Sequence, residues 1–78
     1  MSKIYLFLAD GFETVEALAP VDVMRRAGIE VVTVSIMGRK EVVSAQDVTV
    51  LADTLYDDFV RSGDFKSNVA CFFNVDGV

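Results

Sequence analysis

Three closely spaced acids, Asp10, Glu13 and Glu16, and a single thiol, Cys71, are the side chains of this sequence best suited to reactive chemistry. An acid facing a cleft can hold or donate a proton, and a thiol ionised by its surroundings is a nucleophile. Each has a plainer alternative. Acids in the first turn of a helix complement its dipole and need no ligand. A cysteine in an apolar run is commonly a small core residue, and Cys71 is followed by the bulky Phe72 and Phe73. A nucleophile on a sharp strand-to-helix turn needs small neighbours, so this context argues against such an elbow. The sequence has no histidine, which excludes any mechanism that draws an imidazole base from this chain. One cysteine excludes an internal disulfide and a cysteine-rich zinc site, so neither metal nor cofactor is expected.

The elements that would position these groups follow from the hydrophobic pattern. Lys3 to Ala9 (KIYLFLA) is a continuous apolar run of the kind buried on both faces of a parallel sheet. Asp10-Gly11 breaks it. Glu13 to Ala27 places Ala17, Val21, Met24 and Ala27 on one helical face. Asp10 and Glu13 have the spacing of a capping box, Asp22 and Arg26 that of an i,i+4 ion pair, and Gly28 is the natural stop. Pro20 inside this helix predicts a bend or a broken turn. Glu30 to Ile36 is a second strand and completes a βαβ unit. Glu41 to Ser44 and Asp47 to Leu51 read as a hairpin turning tightly at Ala45-Gln46. Ala52 to Phe59 reads as one or two helical turns capped by Asp53, Arg61 to Lys66 as a loop, Asn68 to Val75 as a further buried strand, and Asp76 to Val78 as a turn. Asp10 to Glu13 therefore stand beyond the carboxyl end of the first strand, the edge at which open α/β sheets bind ligands.

Composition narrows the function classes. At 78 residues the chain is one small domain, 53% hydrophobic and 24% charged, with net charge −5 and a mean hydropathy of +0.43. That is too apolar for disorder and too interrupted for a membrane span. A net-acidic chain without a basic cluster is a poor ligand for nucleic acid or an anionic membrane. No secretory signal is legible and the lone thiol fits a reducing, cytoplasmic setting. ADGFE lacks the further glycines of a dinucleotide-binding loop. A receiver-like or flavin-binding domain would share the first strand and helix but needs later acids or a phosphate loop that are missing.

The segment Ile4 to Ser35, with ADGFE, the acid Glu16, the run PVDVMRRAG and the strand VVTVS, closely resembles the opening of the ThiJ/PfpI superfamily, and most closely its DJ-one (protein deglycase-like) branch. Gly38, Val42, Asp47 to Val50 and Ala52-Asp53 continue the resemblance, which covers residues 3–58. It implies a flavodoxin-like α/β parallel-sheet sandwich, here truncated to the first βαβ unit plus a hairpin and one further strand. On this reading 1–78 is a single partial domain, family-like over 3–58 and atypical over 59–78.

The resemblance also implies a chemistry. Family members are dimers that act through an oxidation-sensitive cysteine on a nucleophile elbow, in glyoxalase, deglycase, amidase or protease-like reactions and in stress responses. A protonated acid from the first helix donates a hydrogen bond to that sulfur, and by motif this acid is Glu16. A carboxyl group stays protonated only in a dry pocket or beside a thiolate. The family's Pro-Gly-Gly turn, elbow and histidine have no counterpart in FVRSGDFKSNVACFFNVDGV, and Cys71 takes that role only if folding brings it to Glu16. Two expectations result. One is cysteine-dependent chemistry on a small carbonyl substrate, with this short chain catalytically incomplete. The other is a non-catalytic dimerisation module or fragment that forms a homodimer or larger homo-oligomer.

Overall fold

The computed structural model describes residues 3–63 and, by its backbone, the strand at 69–74. Lys3–Leu8 forms β1, Thr14–Arg26 α1, Glu30–Ser35 β2, Glu41–Val43 β3, Thr49–Leu51 β4, Thr54–Leu55 β5, Tyr56–Ser62 α2 and Val69–Asn74 β6. Four strands make a parallel sheet in the order β5-β2-β1-β6, and β3-β4 is a separate antiparallel hairpin. The α/β parallel-sheet architecture read from the sequence is present, with one strand more than expected.

β1 alternates between two cores, as a strand covered on both faces must. Leu6 and Leu8 pack with Phe12, Ala17, Val21, Val31 and Val42, which joins α1 and the hairpin to one face of the sheet. Tyr5 packs with Val34 and Phe59 on the other face, beneath α2. There the ring of Phe59 lies 4.6 Å from that of Tyr5 and meets Phe7 edge-on at 5.4 Å.

The ends of α1 differ in how far local sequence explains them. At the C-terminus, Gly28 takes φ +85°. Its N–H donates to Arg25 O and the Ile29 N–H reaches back to Met24 O, both at 3.0 Å. This is a Schellman closure, which needs the left-handed residue that glycine supplies. Asp22 and Arg26 form the expected ion pair at 2.9 Å. At the N-terminus the capping-box expectation fails. Glu13 is the N-cap residue and makes no side-chain cap bond, because the Asp10 carboxylate is drawn to the hairpin instead. Nor does Pro20 break a turn: α1 runs from Thr14 to Arg26 as one helix, and Ala17 and Val21, on either side of the proline, are buried.

Three further expectations are corrected. The hairpin turns through three residues, Ala45 to Asp47, rather than two. Asp47 sits at φ +64° and the Ser44 hydroxyl accepts the amides of Gln46 and Val48. Asp53 is not a helix cap: its backbone and carboxylate bind Thr33, which draws Thr54–Leu55 into the sheet as β5 and delays α2 to Tyr56. α2 then runs on through Arg61 and Ser62, placed in a loop by the sequence, and ends at Gly63. The strand expected at Asn68 to Val75 is β6. The remainder of that loop and the turn at Asp76 to Val78 lie outside the described residues.

Phe12 is fully buried where the β1–α1 loop meets both α1 and the hairpin. Phe12→Ala should lower stability by about 3–5 kcal/mol, read from urea midpoints. A loss within error of zero would mean that this side chain does not tie the loop to the core.

Candidate functional site

The β1–α1 loop leaves the carboxyl edge of the sheet and is stitched to the hairpin along its length. The Gly11 N–H donates to Val43 O and the Ala45 N–H to Phe12 O, each at 2.8 Å. One oxygen of Asp10 accepts the Val43 amide at 3.0 Å and the other is ion-paired to Arg39. The Gln46 side chain serves the start of α1. Its carbonyl accepts the Thr14 N–H at 3.2 Å and the Thr14 hydroxyl at 2.8 Å, and its amide donates to Glu13 at 3.1 Å. An orphan amide of the first helical turn is thus satisfied by a residue 32 positions away.

Of the sequence candidates, Asp10 and Glu13 are consumed by this network. Glu16 stands one turn on, exposed to solvent on α1 rather than enclosed in an apolar pocket. Cys71 lies within β6, its Cα opposite that of Tyr5, and its side chain lies outside the described residues, as does any contact between it and Glu16. Arg39 and Gln46 were missed by sequence reasoning. Both sit in turn segments whose local pattern shows only that the chain reverses.

A second polar cluster joins α1, β2 and the entry to β5. A single Asp53 oxygen accepts the Thr33 N–H at 2.9 Å, the Thr33 hydroxyl at 3.0 Å and Arg25 at 2.8 Å. Partial burial opposes ionisation of Asp53, but the Thr33 amide and hydroxyl and the Arg25 charge outweigh it and hold the carboxyl below its usual range. Asp10 is lowered as well, chiefly by the Val43 amide with help from Arg39 and against a desolvation cost.

The cavity at the carboxyl edge, between Ile36 and Tyr56, is about 180 Å³, below the roughly 300 Å³ at which small-molecule sites begin. A larger one of about 460 Å³ opens at the opposite end of β2, beside Arg25 and Asp53. Among the described residues, no three His, Cys, Asp or Glu side chains are grouped to hold a metal ion, and no helix is long and apolar enough to cross a membrane.

A parallel β-α-β start, with acids beyond its first strand and a hairpin folded over the loop, defines the front portion of a flavodoxin-like α/β protein. The sequence model of the DJ-1/PfpI family matches residues 2–69, and the chain belongs to that family. The match runs past residue 58, where the motif resemblance ends. The Parkinson disease protein 7 homolog of Danio rerio is 37% identical over 63 residues, 81% of this chain and 33% of that protein. Protein DJ-1 homolog B of Arabidopsis thaliana is 39% identical over 56 residues, 72% of this chain and 13% of that protein. The chain thus spans a third or less of these curated relatives. Among solved structures, oxidized Toxoplasma gondii DJ-1 superposes with a TM-score of 0.74 at 29% identity, covering 91% of this chain and 38% of that one. The putative protease I of Bacteroides thetaiotaomicron reaches 0.83 at 12% identity, covering 99% and 43%, a likeness of fold alone.

Both lowered carboxylates yield one sign. Unfolded, they titrate near 3.9; folded, they titrate lower, so the native chain binds fewer protons in that window and stability rises with pH across it. Their contribution is complete above the unfolded value and is lost as pH falls through the folded ones. Asp10→Asn and Asp53→Asn should each lie below the parent in urea midpoint at neutral pH, with the gap closing toward about pH 3. A gap constant from neutral to acid would show that neither charge is coupled to folding.

Proposed function

We propose that this chain carries the first-helix side of a DJ-1/PfpI site, with Glu16 as the acid facing the sulfur in cysteine-dependent chemistry on small carbonyl compounds, and that the chain alone is catalytically incomplete. The observation that carries the second part is the place of Cys71. It lies mid-strand, level with Tyr5, while the carboxyl end of the sheet is at Leu8 and Asn74. At about 3.3 Å per residue, its backbone sits roughly 10 Å short of the edge from which Asp10 and the start of α1 project. An elbow nucleophile needs a tight turn at that edge, and an extended strand offers none. A lone thiol fits a reducing compartment, and we place the chain in the cytoplasm.

A second reading, a homo-oligomeric interaction module, is favoured by the outer face of α1 and the hairpin. Val15 and Val23 are 75% and 64% exposed and two turns apart on one helix face, and Leu51 on β4 is 67% exposed. Large apolar side chains left exposed in this way fit pairing with a second copy of the chain.

Incubation with methylglyoxal should show no substrate loss beyond that of a Cys71→Ala variant; loss that depends on Cys71 overturns the claim of incompleteness. In light scattering, the parent should have at least a dimer's mass at micromolar concentration, and Val23→Lys should shift it toward monomer. A parent that is monomeric throughout that range would sink the second reading.

A further inference from the structure

Glu16 is the third residue of α1, so its place depends on the first turn of that helix staying closed. The turn is poorly served by its own sequence. The N-cap residue Glu13 makes no side-chain cap bond, and the leading amides of a helix have no helical acceptor. The first bond of the ladder runs from the Ala17 N–H to Glu13 O at 3.0 Å. Support for Glu13 and Thr14 comes instead from the hairpin. The Gln46 carbonyl accepts both the N–H and the hydroxyl of Thr14, while its amide donates to Glu13. These bonds need an acceptor and a donor on one planar group. A carboxylate supplies only the first and an ammonium only the second.

The aim of Gln46 is set within the hairpin. Ser44 is buried at the base of the turn. Its hydroxyl accepts the N–H of Gln46 at 3.2 Å and of Val48 at 3.1 Å, and its carbonyl accepts the Asp47 N–H at 2.9 Å. Asp47, at φ +64°, brings the chain round, and the Ala45 N–H is held by the carbonyl of buried Phe12. Gln46 itself is exposed and belongs to neither core. Its side chain contributes bonds rather than packing, so a change there falls on the start of α1 and not on the sheet.

We propose that Gln46 is a positioning residue for Glu16: it clamps the first turn of α1 from the hairpin and so holds the acid in place beyond the carboxyl end of β1. This rests on the reading of Glu16 as the acid of the site. Its test follows the order of Glu16 and no chemistry, so the two fail by different measurements. The full chain, labelled with ¹⁵N, is compared by NMR with Gln46→Ala and Gln46→Glu, through amide exchange at Ala17 and the heteronuclear NOE at Glu16. In Gln46→Ala, Ala17 should exchange about five-fold faster, the loss of one helix cap, and the Glu16 NOE should fall, while amides of β1 and β2 keep the parent's rates. In Gln46→Glu at neutral pH the new carboxylate stands against Glu13, with Asp47 beside it in the turn and Glu16 on α1 adding negative charge, and Arg39 is taken by Asp10. That variant should be as loose as Gln46→Ala at neutral pH. Relative to the parent at the same pH, it should tighten toward about pH 4.5, where one carboxyl of the pair takes a proton and donates as the amide did. If Gln46→Ala does not fold, this acid rescue decides. The parent's Ala17 exchange and Glu16 NOE in Gln46→Ala overturn the proposal. So does faster exchange spread evenly over β1 and β2, and so does Gln46→Glu without acid rescue.

Discussion

The pairing of β1 on both edges, with apolar side chains on both faces, is the constraint from which the rest of this structure follows. Tyr5 and Phe7 turn toward one layer while Leu6 and Leu8 turn toward the other. A backbone in those surroundings has no water to bond, so its polar groups need a strand on each side. β2 supplies one and β6 the other, in register from Lys3 to Leu8. Once β1 is held this way, α1 must cross one face to reach β2, and the loop after Leu8 must emerge at the carboxyl edge.

That loop is then shaped from outside. Backbone bonds from Gly11 and Ala45, and the Asp10 contacts with Val43 and Arg39, fasten it to the hairpin. Val42, fully buried, anchors the hairpin in the core shared with α1. Two of the acids that look most chemical in the sequence, Asp10 and Glu13, are therefore structural here.

Much of the architecture was legible because the signals are local. The apolar run of β1, the helical periodicity of α1, the Gly28 stop and the apolar run around Cys71 each mark an element from its own residues. The failures share one cause. Asp10 and Asp53 have good capping chemistry, but each found a stronger set of donors far along the chain: Val43 and Arg39 for one, Thr33 and Arg25 for the other. β5 was hidden for the same reason, since two residues carry no periodicity and the pairing is imposed by the Asp53–Thr33 exchange. Of the bend or broken turn expected at Pro20, the broken turn is absent, since α1 runs from Thr14 to Arg26 without a gap.

The order of hydrophobic and polar residues by itself determined the α/β class and the β-α-β start, because burial on two faces and a helical stripe are properties of a short window; the family was legible only through the particular residues of motifs such as ADGFE and PVDVMRRAG. Tertiary structure alone decided which carboxylates are bonded, what caps α1 and where β5 lies. Those outcomes depend on groups some twenty to thirty residues apart becoming neighbours, and a short window holds no record of which distant donor will arrive.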